Sequence, residues 1–282
     1  MPSFSAPDGT KLAYRVSGQG RPVICLPGGS QDAHYLGDLG GLSARRQLVL
    51  LDPRGTGGSA APDDPTSYRC DRLVGDVEAL REQLGLDRID LLGHSGGANL
   101  AVLYAIRHPT RVARLALVTP STLAVGLPPT GEQRLEVARL RANEPWFGPA
   151  HAALEKVVAG EADDDAWKAV DPFFYGRWDA RAQAHVADQE GRRNPEAAAV
   201  FAAEGAFDPP ATRAALASFL APALVLAGQV DLNSPPAVMS KLAALFPGTE
   251  YVVQPGAGHY PWLDDPERFV AVTAEFLSGP GE

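Results

Sequence analysis

The sequence predicts an α/β fold, a mostly parallel eight-stranded sheet flanked by helices with a helical insertion before its last strands. Three observations carry this. Short apolar runs recur without polar alternation, the pattern of strands buried on both faces. Amphipathic helical stretches separate them, as parallel neighbours require. The runs then stop after Thr119-Pro120 and resume only at Pro222.

Each element follows from local chemistry. Ser3 to Ser5 and Leu12 to Val16 flank the turn signal Asp8-Gly9 and read as an opening hairpin. Pro22 to Leu26 and Gln47 to Leu51 are apolar strands, ending in Pro27-Gly28-Gly29-Ser30 and Asp52-Pro53-Arg54-Gly55. Leu73, Val77, Leu80 and Leu84 recur at helical spacing, so residues 71–84 form an amphipathic helix. A strand over Ile89-Asp90-Leu91-Leu92, a helix to about Arg107 stopped by Pro109, and a strand from Val112 to Val118 follow. Residues 121–215 are rich in Ala, charge and Trp, with helical stretches and no clear strand. A strand at Pro222 to Ala227, a helix at Ala237 to Leu245, a strand at Glu250 to Val253 and a helix at Glu267 to Leu277 complete the chain. The expected division is a core domain, 1–120 with 216–282, and a helical cap, 121–215. The cap would cover the carboxyl ends of the strands, where ligands bind in such sheets.

Composition narrows the function. The chain has 282 residues, 45% of them hydrophobic, enough for a sizeable core. A formal net charge of −9 leaves no basic face for phosphates, which argues against nucleic acid, and gives no attraction to anionic membranes. No apolar run approaches a membrane span, and no basic segment followed by an apolar core marks a signal peptide. Only Cys25 and Cys70 occur. Cys25 lies in an apolar strand, so a buried free thiol is expected, which suits a reducing cytoplasm.

Gly93-His94-Ser95-Gly96-Gly97 joins the Ile89 strand to the helix that follows. The pattern Gly-x-Ser-x-Gly between strand and helix is the nucleophile elbow. With 29 glycines in the chain, the bare pattern arises by chance in about one such chain in eight, so context decides. A serine hydroxyl needs a base, normally a histidine oriented by a buried carboxylate. Of six histidines, His94 adjoins the serine and points elsewhere from the turn, His108 ends a helix, and His34, His151 and His185 lie in loops or the insertion. His259 follows the strand Tyr251-Val252-Val253, on the carboxyl edge that Ser95 shares. Asp231 follows the strand at Leu224 to Gly228 on the same edge. The order Ser95, Asp231, His259 is the hydrolase order Ser…Asp…His. Asp264 and Asp265 are weaker candidates for the acid, because they follow the histidine and begin the last helix. The oxyanion donors are expected at Gly96, after the nucleophile, and at Gly29 of the glycine pair after the third strand.

At these residues the chain resembles the α/β-hydrolase family over essentially its whole length, and within it the proline iminopeptidase-like serine hydrolases. Asp52-Pro53-Arg54-Gly55-Thr56-Gly57-Gly58-Ser59 is similar to their Asp-x-Arg-Gly-x-Gly-x-Ser loop, in which Arg54 is expected to brace the loop rather than bind substrate. Gly256-Ala257-Gly258-His259 and Pro266-Glu267-Arg268-Phe269 resemble their histidine loop and final helix. The resemblance implies the α/β-hydrolase fold with its cap, and a small-molecule acyl substrate. Two features depart from it. Pro27-Gly28-Gly29-Ser30-Gln31 stands where iminopeptidases carry His-Gly-Gly-Pro-Gly, and of the cap carboxylates that would hold a substrate amine, only the unaligned Glu144, Glu204 and Asp208 offer themselves.

The reading is therefore a cofactor-free serine hydrolase acting on an ester, lactone or amide, as a monomer or homodimer. Trp146, Phe174, Tyr175 and Trp178 of the insertion are candidates to line its pocket. The alternatives are an aminopeptidase, an acyl-transfer or cyclisation enzyme, and a hydrolase-fold protein that only binds a ligand. A metal site has no support, since neither His-Glu-x-x-His nor paired cysteines occur.

Overall fold

The computed structural model describes residues 1–279. It opens with the expected hairpin. Strand β1 (Ser3–Ser5) runs antiparallel to β2 (Lys11–Ser17), with Gly9 at φ 88° in the turn and Asp8 accepting from the Thr10 N–H. Strands β3 (Pro22–Leu26), β4 (Gln47–Leu51), β5 (Ile89–His94) and β6 (Val112–Val118) follow, with helix α1 (Cys70–Gln83) before β5 and α2 (Gly96–Arg107) after it.

Between β6 and the next strand stand six helices: α3 (Gly131–Arg139), α4 (Phe147–Ala159), α5 (Asp164–Ala169), α6 (Ala180–Gln189), α7 (Pro195–Phe201) and α8 (Pro209–Leu216). Side-chain caps start each one except α4: Thr130, Asp163, Asp179, Asn194 and Asp208 each accept from the first turn. The chain then returns to the sheet with β7 (Ala223–Gly228), α9 (Pro236–Ala243) and β8 (Glu250–Gln254), and ends in α10 (Pro261–Asp264) and α11 (Pro266–Ser278).

The eight strands form one sheet in the order β1-β2-β4-β3-β5-β6-β7-β8. Only the β1–β2 and β2–β4 pairs are antiparallel. The unalternating strands bury both faces. Ile24, Leu91, Leu115 and Val225 meet α1 and α2 on one side, while Val23, Leu92, Ala116 and Leu224 meet Trp262, Phe269 and Phe276 on the other. Cys25 and Cys70 are buried free thiols, and burial pushes both thiols well above their usual range.

The β3–β4 crossover had no sequence assignment. It is built from two 3₁₀ turns, Ala33–Leu36 and Leu39–Ala44, capped by Asp32 and Asp38. Gly40 and Gly41 take φ 69° and 98°, which breaks any longer helix. Arg54 braces its loop, as expected. Its Nε donates to Asp76 Oδ2 at 2.6 Å and its Nη1 reaches Asp8, with the Arg54 side chain 4% exposed. Asp52 closes the same loop, accepting from the Ala33 and Gly58 N–H groups. No helix among the described residues is long and apolar enough to cross a membrane.

Candidate active site

β5 ends at His94 and α2 begins at Gly96, so Ser95 makes the turn, with φ 51° and ψ −121°. Such a conformation costs a non-glycine residue about 1–3 kcal/mol. Backbone bonds hold it: Ser95 N–H donates to Val118, and its carbonyl accepts from Ala98 and Ser121. Glycine is required on both sides. A Cβ at Gly97 would collide with the Leu26 and Pro27 carbonyls, and one at Gly93 would lie 2.7 Å from Ala98 Cα.

The structure brings Ser95, His259 and Asp231 together from the ends of β5, β8 and β7. Ser95 Oγ lies 2.9 Å from His259 Nε2, and His259 Nδ1 lies 2.8 Å from Asp231 Oδ2. Asp231 is wholly buried, and its other oxygen accepts from the Asn233 and Ser234 N–H groups at 2.8 and 3.1 Å. A carboxylate placed in this way anchors the imidazole through Nδ1 and turns Nε2 toward the Ser95 hydroxyl. Asp264, the weaker candidate acid, is spent elsewhere. Its oxygens accept from Gly258 and Gly176 N–H at 2.8 and 2.9 Å.

His94 turns away from the nucleophile and joins two loops of the site. Its Nε2–H donates to the His259 carbonyl at 2.9 Å, which also accepts from Thr119 Oγ1. Its Nδ1 accepts from the Tyr35 hydroxyl at 2.7 Å, and that hydroxyl accepts from the Gly28 N–H at 2.8 Å. Burial, then the neighbouring His259, holds His94 well below the usual imidazole range, so it stays neutral and each ring nitrogen keeps one role. The Gly28 amide is therefore occupied. Among the described residues the Gly29 and Gly96 N–H groups have no protein acceptor, and a Cβ on Gly96 would lie 3.4 Å from Gly29 N. Two free amides thus stand side by side at the start of α2, where the helix dipole favours negative charge.

Removing the link in this chain has a defined cost. Tyr35→Phe leaves the Gly28 N–H and His94 Nδ1 unpaired in a buried site, and is expected to destabilise the fold by about 1–3 kcal/mol. Urea unfolding midpoints at unchanged slope measure this; a wild-type midpoint would mean the hydroxyl does not link the loops.

Two cavities reach Ser95 and His259. The larger, about 360 Å³, is walled by Leu73, Leu100, Leu123, Pro128, Ala197 and Phe201, with Arg134 and Arg193 among its lining. The smaller, about 270 Å³, is lined by Tyr35, Asp171, Phe174, Tyr175, Gln189 and Tyr260. Gly28, Gly29 and Asn233 line both.

Of the aromatic candidates, Phe174 and Tyr175 line the smaller cavity, whereas Trp146 and Trp178 line neither. Trp146 packs edge-on against Phe173 and under Arg141 inside the helical segment, and Trp178 packs at a tilt against Tyr175. Their large rings are worth more as glue between short helices than as pocket wall. Glu144 pairs with Arg141, Asp208 caps α8, and Glu204 is exposed; none lines a cavity. Arg134, Asn233, Asp171 and Gln189 escaped the sequence reading, because no local pattern separates them from other polar helix and loop residues.

The backbone around His259 is packed against the inserted segment. The His259 N–H donates to the Phe174 carbonyl at 2.7 Å, and a Cβ on Gly258 would lie 2.6 Å from that same oxygen. Gly176 in turn leaves no room for a Cβ beside the Gly256 carbonyl.

A serine, histidine and buried carboxylate at the carboxyl edge of a parallel sheet, beside two free amides, define a hydrolytic enzyme of α/β architecture. Comparison with known proteins agrees. The family described as alpha/beta hydrolase fold matches residues 21–266, and the chain belongs to that family. A proline iminopeptidase of Heyndrickxia coagulans is 27% identical over 279 residues, spanning 94% of this chain and 93% of its own. Among solved structures, an esterase from Rhodococcus sp. ECU1013 superposes with a TM-score of 0.75 at 26% identity, covering 99% of each chain. A proline iminopeptidase of Mycobacterium smegmatis does so with a TM-score of 0.74 at 26% identity, covering 98% of each. The protein is an α/β-fold hydrolase enzyme that resembles the proline iminopeptidase-like members.

Proposed function

We propose that this chain hydrolyses an ester, lactone or amide of a small molecule through an acyl-enzyme on Ser95. The observation that carries the reading is the unbroken relay from Ser95 Oγ through His259 to Asp231, with the Gly29 and Gly96 amides free beside it. His259 Nε2 takes the Ser95 proton as Oγ attacks the carbonyl carbon. Asp231 stabilises the imidazolium that forms. The Gly29 and Gly96 N–H groups meet the oxyanion as the tetrahedral intermediate develops. Collapse returns the proton to the leaving group, and water then attacks the acyl-enzyme with the same base. Residues 121–215 act as the cap that walls the site from solvent. No cofactor takes part.

The test is labelling of Ser95 by a fluorophosphonate together with turnover of p-nitrophenyl butyrate. Labelling and turnover are expected; folded protein that does neither would leave only ligand binding.

The aminopeptidase reading has one observation in its favour. Asp171 is the sole carboxylate lining either cavity among the described residues. Burial, then the nearby Glu190, pushes its carboxyl up to about 6. It is therefore mostly protonated at pH 5 and mostly ionised at pH 7. Were it to hold a substrate amine, proline p-nitroanilide turnover would rise through pH 6 and disappear in Asp171→Asn. The expected result between pH 5 and 8 is ester turnover well above anilide turnover. Robust anilide cleavage with that pH dependence and no ester cleavage would overturn the assignment to esters.

A further inference from the structure

We infer that the substrate carries a carboxylate, held in the larger cavity by the guanidinium of Arg134. This rests on the reading of Ser95 as an acyl-accepting nucleophile and names the class of molecule delivered to it.

The observation is an arginine without a counter-ion in a mostly apolar chamber that no described carboxylate lines. Arg134 lies on α3, half-buried, and lines the same cavity as Ser95, Gly96 and His259. One of its five N–H donors is used, by Nη1 to Asn233 Oδ1 at 3.2 Å. Among the described residues it forms no ion pair. No Asp or Glu lines that cavity. The third arginine there, Arg54, is already paired with Asp76 and Asp8. Arg193, exposed beside the same cavity, has no carboxylate partner among the described residues either.

Desolvation makes this arrangement meaningful. A guanidinium cannot shed its proton to escape burial. Burial does lower the pKa of Arg134, an effect that the field of Asp231 partly offsets. A folded chain with 34 acidic residues could have placed one beside it, and the cavity has none. The missing partner is supplied by a ligand whose two coplanar oxygens match the guanidinium fork. A carboxylate fits better than a phosphate dianion, because among the described residues lining the chamber the other arginine without an ion pair, Arg193, is exposed. The overall charge of −9 repels anions, so the two arginines are what admits one here. The same positive wall disfavours a substrate amine. Leu73, Leu100, Leu123 and Phe201 would cover the apolar stem between that carboxylate and the scissile carbonyl.

The experiment compares matched esters by proton release at constant pH in low-salt buffer. Methyl hexanoate, monomethyl adipate and methyl 6-aminohexanoate place no charge, a carboxylate or an ammonium on the acyl side. Butyl acetate and 4-acetoxybutanoate do the same for the alcohol side, neutral against anionic. The wild-type enzyme is expected to favour the anionic member of one pair by roughly ten- to hundredfold in kcat/KM, the range of a charge-assisted contact. Arg134→Gln is expected to bring that ratio close to one, and Arg134→Lys to retain part of it. The wild-type ratios need no variant, so a poorly folding Arg134→Gln leaves the test intact. Turnover of the neutral esters with no anionic preference in either pair would overturn this assignment and leave the serine-hydrolase reading standing. Absence of both ester turnover and fluorophosphonate labelling would remove that reading, and this one with it.

Discussion

Ser95→Ala is expected to lower kcat on the best ester by roughly 10⁴–10⁶, with KM little changed. The magnitude follows from what the substitution removes. The Gly29 and Gly96 amides and the cavities remain, and on the proposed mechanism they would supply only the residual part of the acceleration. His259 keeps its bond to Asp231 but has no proton to take. Pre-steady-state release of p-nitrophenol separates the outcomes: wild type shows an acyl-enzyme burst and the variant none. Turnover of Ser95→Ala within tenfold of wild type would show that water, not Ser95, attacks the carbonyl. The fold is expected to change little in stability, since alanine bears the φ 51° turn no worse and only His259 bonds to the hydroxyl.

Arg54→Ala is expected to cost the largest share of stability of any single change here, about 3–5 kcal/mol. Arg54 and Asp76 are both buried, with side chains 4% and 3% exposed. Burial raises the Asp76 carboxyl while Arg54 pulls it back toward ionisation. Removing the guanidinium strands a carboxylate in the interior, and the loop it anchors loses its ties to Asp8 and Ser67 as well. Denaturant midpoints report the loss. The double variant Arg54→Met, Asp76→Leu is expected to recover much of it, because the penalty lies in the unpaired charge rather than in the missing attraction. If the single variant unfolds at the wild-type midpoint, the pair is not an anchor. The pH dependence of the single variant has a sign. Asp76, its folded pKa raised further without Arg54, binds more protons folded than unfolded, so the variant loses stability as pH rises through and above the ordinary carboxylate range.

How much of this was legible beforehand depends on whether the information is local. The elbow is a five-residue pattern with a strand before it and a helix after it, and Asp231 and His259 sit just past apolar runs that declare their strands. Each is readable because one short stretch fixes both its backbone and its edge of the sheet. The 3₁₀ crossover after β3 was not readable, since Gly37, Gly40 and Gly41 mark breaks without saying what lies between them. In the inserted helices local patterns reveal the helices, and Phe174 and Tyr175 as cavity residues, but not which other side chains face the site. Trp146 and Trp178 are large aromatic residues like those of a pocket, but Trp146 is spent on Phe173, 27 residues along the chain, and Trp178 on the back of Tyr175. Arg134 reads as an ordinary surface arginine on a capped helix. Only the closing of α3 over the sheet edge reveals that it has no acid to meet.

The bond from the His259 amide to the Phe174 carbonyl ties the proposed base mechanically to the inserted helices. Asp264 clamps the same place from outside, bridging Gly258 and Gly176, and Arg141 holds the Tyr175 carbonyl at 2.7 Å. The stretch 174–176 is thus a fixed pivot. If the helices swing to admit substrate, this end must stay still, or the imidazole leaves its alignment with Ser95. Travel is left to the far margin, where α3 and α7 border the larger chamber. On the proposed mechanism, opening and closing would then set the turnover rate without disturbing the proton transfer at the pivot.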